Sequence, residues 1–187
     1  PVFYNVFAPF SSIRYGTSDA LVMAHLKEDP RAVAHALDII AEDNGTLCEL
    51  LMTEAGCDGV YYCVQGGEKD RFTPEEYRLL ITPSDLKVLE HANRFSDTNV
   101  LHCCGWAGIP NHMQVWQDYP AKAINWACFV EDMDLQKGKA FFGGKCVLGG
   151  FDNRAGSLIN NGTKEDIQAF ARELVQHNAQ PGSMIGA

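Results

Sequence analysis

The feature that most constrains the fold is a regular alternation of short apolar runs with longer stretches whose apolar residues recur at helical spacing. The short runs predict strands, and the longer stretches predict the helices between them. The six predicted strands span residues 2–7, 59–64, 99–104, 123–129, 146–149 and 183–185. Because alternating strands and helices build parallel βα units with right-handed crossovers, the chain is expected to be an α/β protein. A doubly wound sheet and a (β/α)8 barrel both fit this pattern.

Two helices carry clear start signals. Asp29 and Pro30 predict the N-cap and the first residue of a helix that ends near Ala55. Thr163 and Asp166 form a variant capping box before the last helix. Helical spacing predicts the buried faces of the two helices, which are Val33, Leu37, Ile40, Leu47 and Leu51 in the first, and Ile167, Phe170, Ala171, Leu174 and Val175 in the last. The polar segment at residues 68–73 is expected to be a mobile loop.

The charge balance excludes two classes of partner. The chain has 24 acidic and 15 basic side chains, so its formal net charge is −9. No basic stripe is available to neutralise phosphates or anionic lipid headgroups, so we expect neither a nucleic-acid nor a membrane partner. No apolar run approaches the roughly 20 residues that a membrane helix needs. The seven cysteines are scattered and odd in number, which favours a reducing, cytoplasmic setting over a secreted disulfide framework.

Polar side chains repeatedly follow the predicted strands, and these are Gln65, Cys104, Glu131 and Asp152. The carboxyl ends of parallel strands carry the ligand sites of barrels and of doubly wound sheets alike. The chain contains neither G-x-G-x-x-G after its first strand nor a G-x-x-x-x-G-K-[ST] motif. Six strands are too few to close a barrel, and both ends, at Pro1 and Ala187, look like cut points. We therefore expect residues 1–187 to form a single domain, an incomplete barrel that lacks about its first two strands.

His102 and Cys104 are the strongest candidates for a metal site. Two residues apart on a strand, they share one face, and Gly105 places them at the strand's exit. Imidazole and thiolate are good zinc ligands, and a catalytic zinc site has three protein ligands and one open position. A substrate thiol in that position has a lowered pKa and is a good nucleophile toward an activated methyl group. Candidates for the third ligand are Cys63, Cys128, Cys146, Asp152 and, preferred here, a residue beyond Ala187.

The segment Gly149-Gly150-Phe151-Asp152-Asn153 follows the fifth predicted strand. It consists of turn-forming residues, so an ordinary turn is one interpretation. The functional interpretation is a loop whose backbone amides, including that of Gly150, meet a substrate carboxylate or phosphate, with Asp152 at the mouth of the site. Four aromatic residues are candidates for the walls of a pocket for a flat ring, namely Tyr15, Trp106, Trp126 and Phe151.

Several of these segments resemble the uroporphyrinogen decarboxylase superfamily. Residues 7–15, FAPFSSIRY, resemble the family's G-A-P-W-T-L-x-x-Y, and residues 56–60, GCDGV, resemble G-A-D-x-V. Residues 148–153, LGGFDN, are similar to the Q-G-N-L-D-P loop, and residues 102–105, HCCG, resemble the H-x-C-G motif of the methyltransferase branch. The resemblance covers almost the whole chain and implies a (β/α)8 barrel of which this chain holds roughly strands 3 to 8.

The resemblance also implies an activity. In the methyltransferase branch, the residues that match His102 and Cys104 bind zinc, and a cysteine just after the eighth strand completes the site. This implies methyl transfer from a corrinoid (methylcobalamin, carried in some cases by a partner protein) to a small-molecule thiol. The catalytic and metal residues would be His102 and Cys104, and the substrate-binding residues would be Tyr15, Gln65, Gly150 and Asp152.

Two alternatives remain open. The first is uroporphyrinogen decarboxylase activity in porphyrin biosynthesis, with a tetrapyrrole substrate and no metal. Against it, Val64 and Gln65 stand where the decarboxylases have the Asp and Ser of F-D-S-W, and Arg14 and Arg154 are the only strand-end arginines for a basic cluster. The second is a corrinoid- or tetrapyrrole-binding relative without turnover. In each case the two open edges of an incomplete barrel predict a homodimer or additional chain segments.

Overall fold

The fold is an α/β arrangement around one six-stranded parallel sheet. A computed structural model describes residues 1–105, 107–178 and 180–186. The strands are β1 (Phe3–Phe7), β2 (Gly59–Val64), β3 (Val100–Cys103), β4 (Ala123–Trp126), β5 (Cys146–Gly150) and β6 (Ser183–Gly186). Each strand pairs in parallel with the next strand in sequence, so the sheet order is β1-β2-β3-β4-β5-β6. The predicted α/β class and the six strands are confirmed, except that the fourth strand ends at Trp126 and not at Phe129, because residues 128–130 form a turn.

α-Helices occupy the connections between these strands, except that the described part of the β3–β4 connection has only a 3₁₀ turn. They are α1 (Pro9–Gly16), α2 (Asp19–Glu28), α3 (Pro30–Thr53), α4 (Pro74–Leu80), α5 (Thr82–Ala92), α6 (Leu135–Phe141), α7 (Leu158–Asn161) and α8 (Lys164–Asn178), and Met113–Val115 forms a 3₁₀ turn. Both predicted caps are confirmed. The Asp29 carboxylate accepts from the amides of Arg31 and Ala32 at 3.1 and 3.0 Å, and Thr163 and Asp166 exchange the two capping bonds at the start of α8. None of the helices in the described part of the chain is long and apolar enough to cross a membrane.

The two faces of the sheet differ in character. Alternate residues such as Tyr62, Leu101 and Ile124 pack with the helices into the main hydrophobic core. The residues between them point to the opposite face, because side chains alternate along a strand. Strand register aligns a polar row across that second face, consisting of Asn5, Tyr61, Cys63, His102 and Asn125. We call this second surface the polar face of the sheet.

Two predicted buried stripes are partly wrong. In α3, Ile40 and Leu47 are not buried, and the small residues Ala41, Gly45 and Cys48 face the core instead. They do so because α3 packs closely on α5, and an added Cβ at Gly45 would lie only 3.2 Å from the His91 ring. In α8 no residue is fully buried, and Val175 is 53% exposed.

Residues 68–73 are tied down by buried charges and do not form the loose polar loop that the sequence predicts. Glu68 is only 1% exposed. Its carboxylate bonds the guanidinium groups of Arg14 and Arg71 at 2.8 and 3.0 Å. Both arginines also pair with Asp19, which closes a four-residue ring of charges. This ring fixes α1 and α2 against the segment that follows β2. Helix α1 was not predicted, because its Ala8 N-cap offers no side-chain signal.

Candidate functional site

The predicted site residues from β2 and β3 come together at the carboxyl edge of the sheet. Cys104 follows β3 directly, and its amide donates to the Val64 carbonyl at 3.1 Å, which continues the ladder with β2. This brings the Gln65 amide nitrogen to 3.6 Å from the Cys104 sulfur. The same nitrogen donates to the Tyr15 hydroxyl at 3.1 Å. The structure therefore brings Tyr15, Gln65 and Cys104 into one contact chain, with His102 one pleat away on the same strand face.

His102 is held by side chains from two neighbouring strands. Its Nδ1 is hydrogen-bonded to the Asn125 side-chain oxygen and lies 3.2 Å from the Tyr61 hydroxyl. The Tyr61 and His102 rings also stack, with centroids 5.3 Å apart. Burial lowers the pKa of His102 below its usual value, against a smaller opposing effect of the Asn125 hydrogen bond. The imidazole is therefore neutral near pH 7, which is the state that binds a metal.

Gln65 presents an unused acceptor at the same place. Its side chain is almost fully buried, and its amide nitrogen is engaged by Tyr15 and Cys104. Its side-chain oxygen is buried and has no hydrogen-bond partner in the described part of the protein. A buried acceptor without a donor is costly, so this oxygen fits a ligand that carries an N–H or O–H group.

A cavity of about 350 Å³ opens beside these residues. Its walls include His102, Cys104, Asn125, Phe151, Asp152 and Arg154. At the mouth, the Arg154 guanidinium donates to both oxygens of the Asp152 carboxylate at 2.6 to 3.1 Å. This pairing lowers the pKa of Asp152, so the carboxylate is ionised and charge-compensated. The structure thus places Asp152 with His102 and Cys104, as the sequence predicts.

The loop after β5 is positioned differently from the sequence-based interpretation. The Gly150 amide faces the Cys128 sulfur, and an added Cβ at Gly150 would contact Leu174 of α8. The Phe151 amide donates to the Gly186 carbonyl at 2.8 Å, within the sheet. Both amides are therefore engaged inside the protein, and Gly150 itself does not line the cavity that contains His102.

Two of the four aromatic candidates, Trp126 and Phe151, line the cavity that contains His102. The Phe151 ring meets Phe170 edge-on at 5.4 Å. Trp126 also belongs to the hydrophobic core, and its indole N–H donates to the Met133 carbonyl at 2.8 Å. Tyr15 is more than half exposed and packs on Phe7 at the β1 end. Trp106 lies outside the described residues.

The donor chemistry at His102 and Cys104 fits two ligands of a zinc site, and the other candidates do not complete it. The Cys63 thiol donates to the Asn5 side-chain oxygen at 2.7 Å, and Cys146 begins β5 at the opposite edge of the sheet. Cys128 lines the same cavity as His102, but its sulfur accepts a hydrogen bond from the Gly150 amide. Asp152 is paired with Arg154. Within residues 1–105, 107–178 and 180–186, no three His, Cys, Asp or Glu side chains cluster closely enough to hold a metal.

Sequence reasoning missed the residues that support this site. Asn125 and Tyr61 hold His102, while Asn111 donates to the Cys104 carbonyl at 3.3 Å and to the Glu131 carboxylate. Burial raises the pKa of Glu131. One signal was available: Asn125 is a polar residue inside the otherwise apolar strand β4, and a buried polar strand residue requires a specific partner.

Comparison with known proteins adds no assignment to this geometry. No protein-family model matches the chain, and no curated protein matches it.

Proposed function

We propose that the protein is a zinc-dependent methyltransferase that moves a methyl group from a methyl-corrinoid to a small thiol. The observation that supports this most directly is the state of His102. Its Nδ1 is engaged by Asn125, which leaves Nε2 as the metal-binding nitrogen, and Cys104 lines the same cavity. A neutral imidazole and a thiol at the carboxyl edge of parallel strands match the ligand types of a catalytic zinc site.

The proposed architecture is a (β/α)8 barrel of which residues 1–187 contribute six strands. The strictly sequential strand order supports it, because a doubly wound sheet reverses its strand order at a switch point. A barrel has no such reversal, and its interior is the face opposite the helices. In that geometry the polar face of the sheet, with His102 and Asn125, would line the barrel interior.

The proposed roles follow from the contacts. His102 and Cys104 would hold zinc, with a third ligand from outside residues 1–187. Zinc would lower the pKa of a bound thiol, so that the thiol is ionised at neutral pH. Gln65 would orient the substrate through its unpartnered side-chain oxygen, with Tyr15 beside it. Asp152 and Arg154 would close the mouth of the cavity as a neutral pair. The thiol sulfur would form a bond to the methyl carbon as the cobalt–carbon bond of the methyl-corrinoid breaks. The electron pair of the broken bond would remain on the corrinoid, and the thiol proton would leave to solvent.

Tetrapyrrole decarboxylation is the competing proposal, and three ion pairs weigh against it. That substrate carries several carboxylates and requires free cationic groups. Arg14 is engaged by Glu68 and Asp19, and Arg154 by Asp152. Turnover of uroporphyrinogen by metal-free protein would favour decarboxylation, whereas retention of a corrinoid or tetrapyrrole without any turnover would favour a binding protein.

The proposed zinc site is tested by metal content. The full-length protein is expected to hold one zinc ion per chain, and His102→Ala or Cys104→Ala is expected to reduce this to a small fraction. Matched controls are His35→Ala, on the exposed surface of α3, and Cys57→Ser, in the turn before β2, both of which should retain zinc. Elemental analysis after exhaustive dialysis measures the stoichiometry. Wild-type protein without zinc, or full zinc in His102→Ala, would exclude the proposal.

A further inference from the structure

We infer that Asn125 is a positioning residue that holds the His102 imidazole as its Nδ1–H tautomer. Tyr61 supports this arrangement through its contacts with both side chains. As a consequence, Nε2 is the nitrogen that carries the lone pair. The tautomer follows from contacts on the polar face of the sheet, and its consequence for metal affinity rests on the proposed function.

The first step is the orientation of the Asn125 amide. Its nitrogen donates to the Leu148 carbonyl on β5 at 2.9 Å. A carbonyl oxygen only accepts hydrogen bonds, so the NH₂ group of Asn125 must face β5. The side-chain oxygen therefore faces β3, where it is bonded to His102 Nδ1. Asn125 is 2% exposed, so water does not compete for this position.

The second step is the location of the imidazole proton. The Asn125 side-chain oxygen has no proton to donate, so the bond to His102 requires a proton on Nδ1. A neutral imidazole carries only one such proton, and Nε2 is left with its lone pair. A metal-bound histidine in general donates its other ring N–H to a fixed acceptor, which sets its tautomer and its ring orientation.

Tyr61 supports the same arrangement from β2. Its hydroxyl donates to the Asn125 side-chain oxygen at 2.6 Å, which uses the second lone pair of that oxygen. Its ring stacks on the imidazole and limits rotation of His102 about its side-chain bonds. Four adjacent strands, β2 to β5, are therefore linked around the Nδ1 atom of His102. Each strand contributes one group: Tyr61, His102, Asn125 and the Leu148 carbonyl.

The tautomer is tested on metal-free protein at neutral pH. Nitrogen-15 chemical shifts of His102, assigned by comparison with His102→Ala, are expected to show a protonated Nδ1 and an unprotonated Nε2. Asn125→Leu removes the acceptor and is expected to move the population toward Nε2–H. Asn125→Asp retains an acceptor oxygen and is expected to keep the Nδ1–H form, and Tyr61→Phe should also keep it. A wild-type spectrum with a protonated Nε2 overturns the inference whether or not any variant folds.

Zinc affinity measures the consequence. In competition with a chromophoric chelator, Asn125→Leu is expected to bind zinc 10- to 100-fold more weakly than wild type, the usual range for loss of such a partner. Asn125→Asp should restore much of this loss. Nδ1–H protein that binds no zinc would refute the proposed function and leave the tautomer assignment intact. Zinc binding through His102 with the same tautomer and affinity in Asn125→Leu would refute the positioning role alone.

Discussion

At the residue scale, Asp85 is the most unusual ionisable group outside the candidate site. Its carboxylate is fully buried near the start of α5 and has three tyrosine hydroxyls as donors. They belong to Tyr62, Tyr77 and Tyr119, at 3.4, 3.1 and 2.9 Å. Burial raises the pKa of Asp85 to about 7, and the three hydrogen bonds oppose this only in part. The folded protein therefore binds a proton that the unfolded chain, with an ordinary aspartate pKa, has already lost.

This difference predicts a pH dependence of stability. Between about pH 4 and pH 7 the folded state holds more protons than the unfolded state, so the contribution of Asp85 to stability falls as the pH rises. The slope for one proton is at most about 1.4 kcal/mol per pH unit. In Asp85→Asn this contribution is absent. Urea unfolding at pH 5 and pH 8 is expected to show wild type losing stability relative to the variant. A constant difference, or one that changes equally in the surface control Asp43→Asn, would contradict the prediction.

Only part of the candidate site can be predicted from local spacing in the sequence. His102 and Cys104 are two apart in sequence, so strand geometry alone places them on one face. The partners of His102 lie 41 and 23 residues away, and they meet it only through the register of β2, β3 and β4. Interstrand register arises from packing of the whole sheet and is not encoded in any local spacing. The sequence therefore marks Asn125 only as a polar residue in an apolar strand, and the pairing of Asn125 and Tyr61 with His102 is visible only in the structure.

At the element scale, the contact between α6 and β4 depends on one glycine. An added Cβ at Gly138 would lie far inside van der Waals distance of the Trp126 indole. The ring is fixed by its hydrogen bond to the Met133 carbonyl and by Phe142 at 5.7 Å. The indole therefore cannot move away from an added Cβ. This explains why α6 has a glycine, which is a poor helix former, at position 138.

Gly138→Ala therefore tests how tightly α6 is packed. Alanine in a helix gains up to about 1 kcal/mol over glycine in intrinsic propensity, whereas overpacking of a close contact costs about 1–3 kcal/mol or more. We expect net destabilisation, measured as a lower thermal midpoint. Gly16→Ala in α1 is the matched control, because nothing lies within 4 Å of its added Cβ. It should be neutral or slightly stabilising. If both variants change the thermal midpoint equally, close packing does not explain why glycine occupies position 138.

The elements differ in how well the sequence predicts them. Strand β2 and the start of helix α3 were predicted to the residue, because β-rich composition and a Pro at N1 are local signals. The buried face of α3 was not, since hydrophobicity selects Ile40 and Leu47 where close contact with α5 selects Ala41, Gly45 and Cys48. The burial of Glu68 was not predicted for a similar reason, because its two arginine partners come from different elements.

At the scale of the whole molecule, the sheet ends in two strands that pair on one side only, β1 and β6, in the described part of the chain. Both expose apolar side chains, including Phe3 and Tyr4 on β1 and Met184 on β6. Unpaired backbone groups beside exposed apolar side chains favour pairing with another strand. The net charge of −9 opposes association through long-range repulsion, which salt weakens.

A polypeptide of residues 1–187 is therefore expected to self-associate, and to do so more strongly at high salt. Tyr4→Lys places a charge on the β1 edge, where Tyr4 is 50% exposed, and is expected to shift the population toward monomer. Leu79→Lys is the control, because it makes the same kind of change on α4, at a residue 77% exposed and away from both edges. Sedimentation velocity at 50 mM and 500 mM salt separates the two effects. A monomer under both conditions, or equal effects of the two lysine variants, would show that the open edges do not drive association.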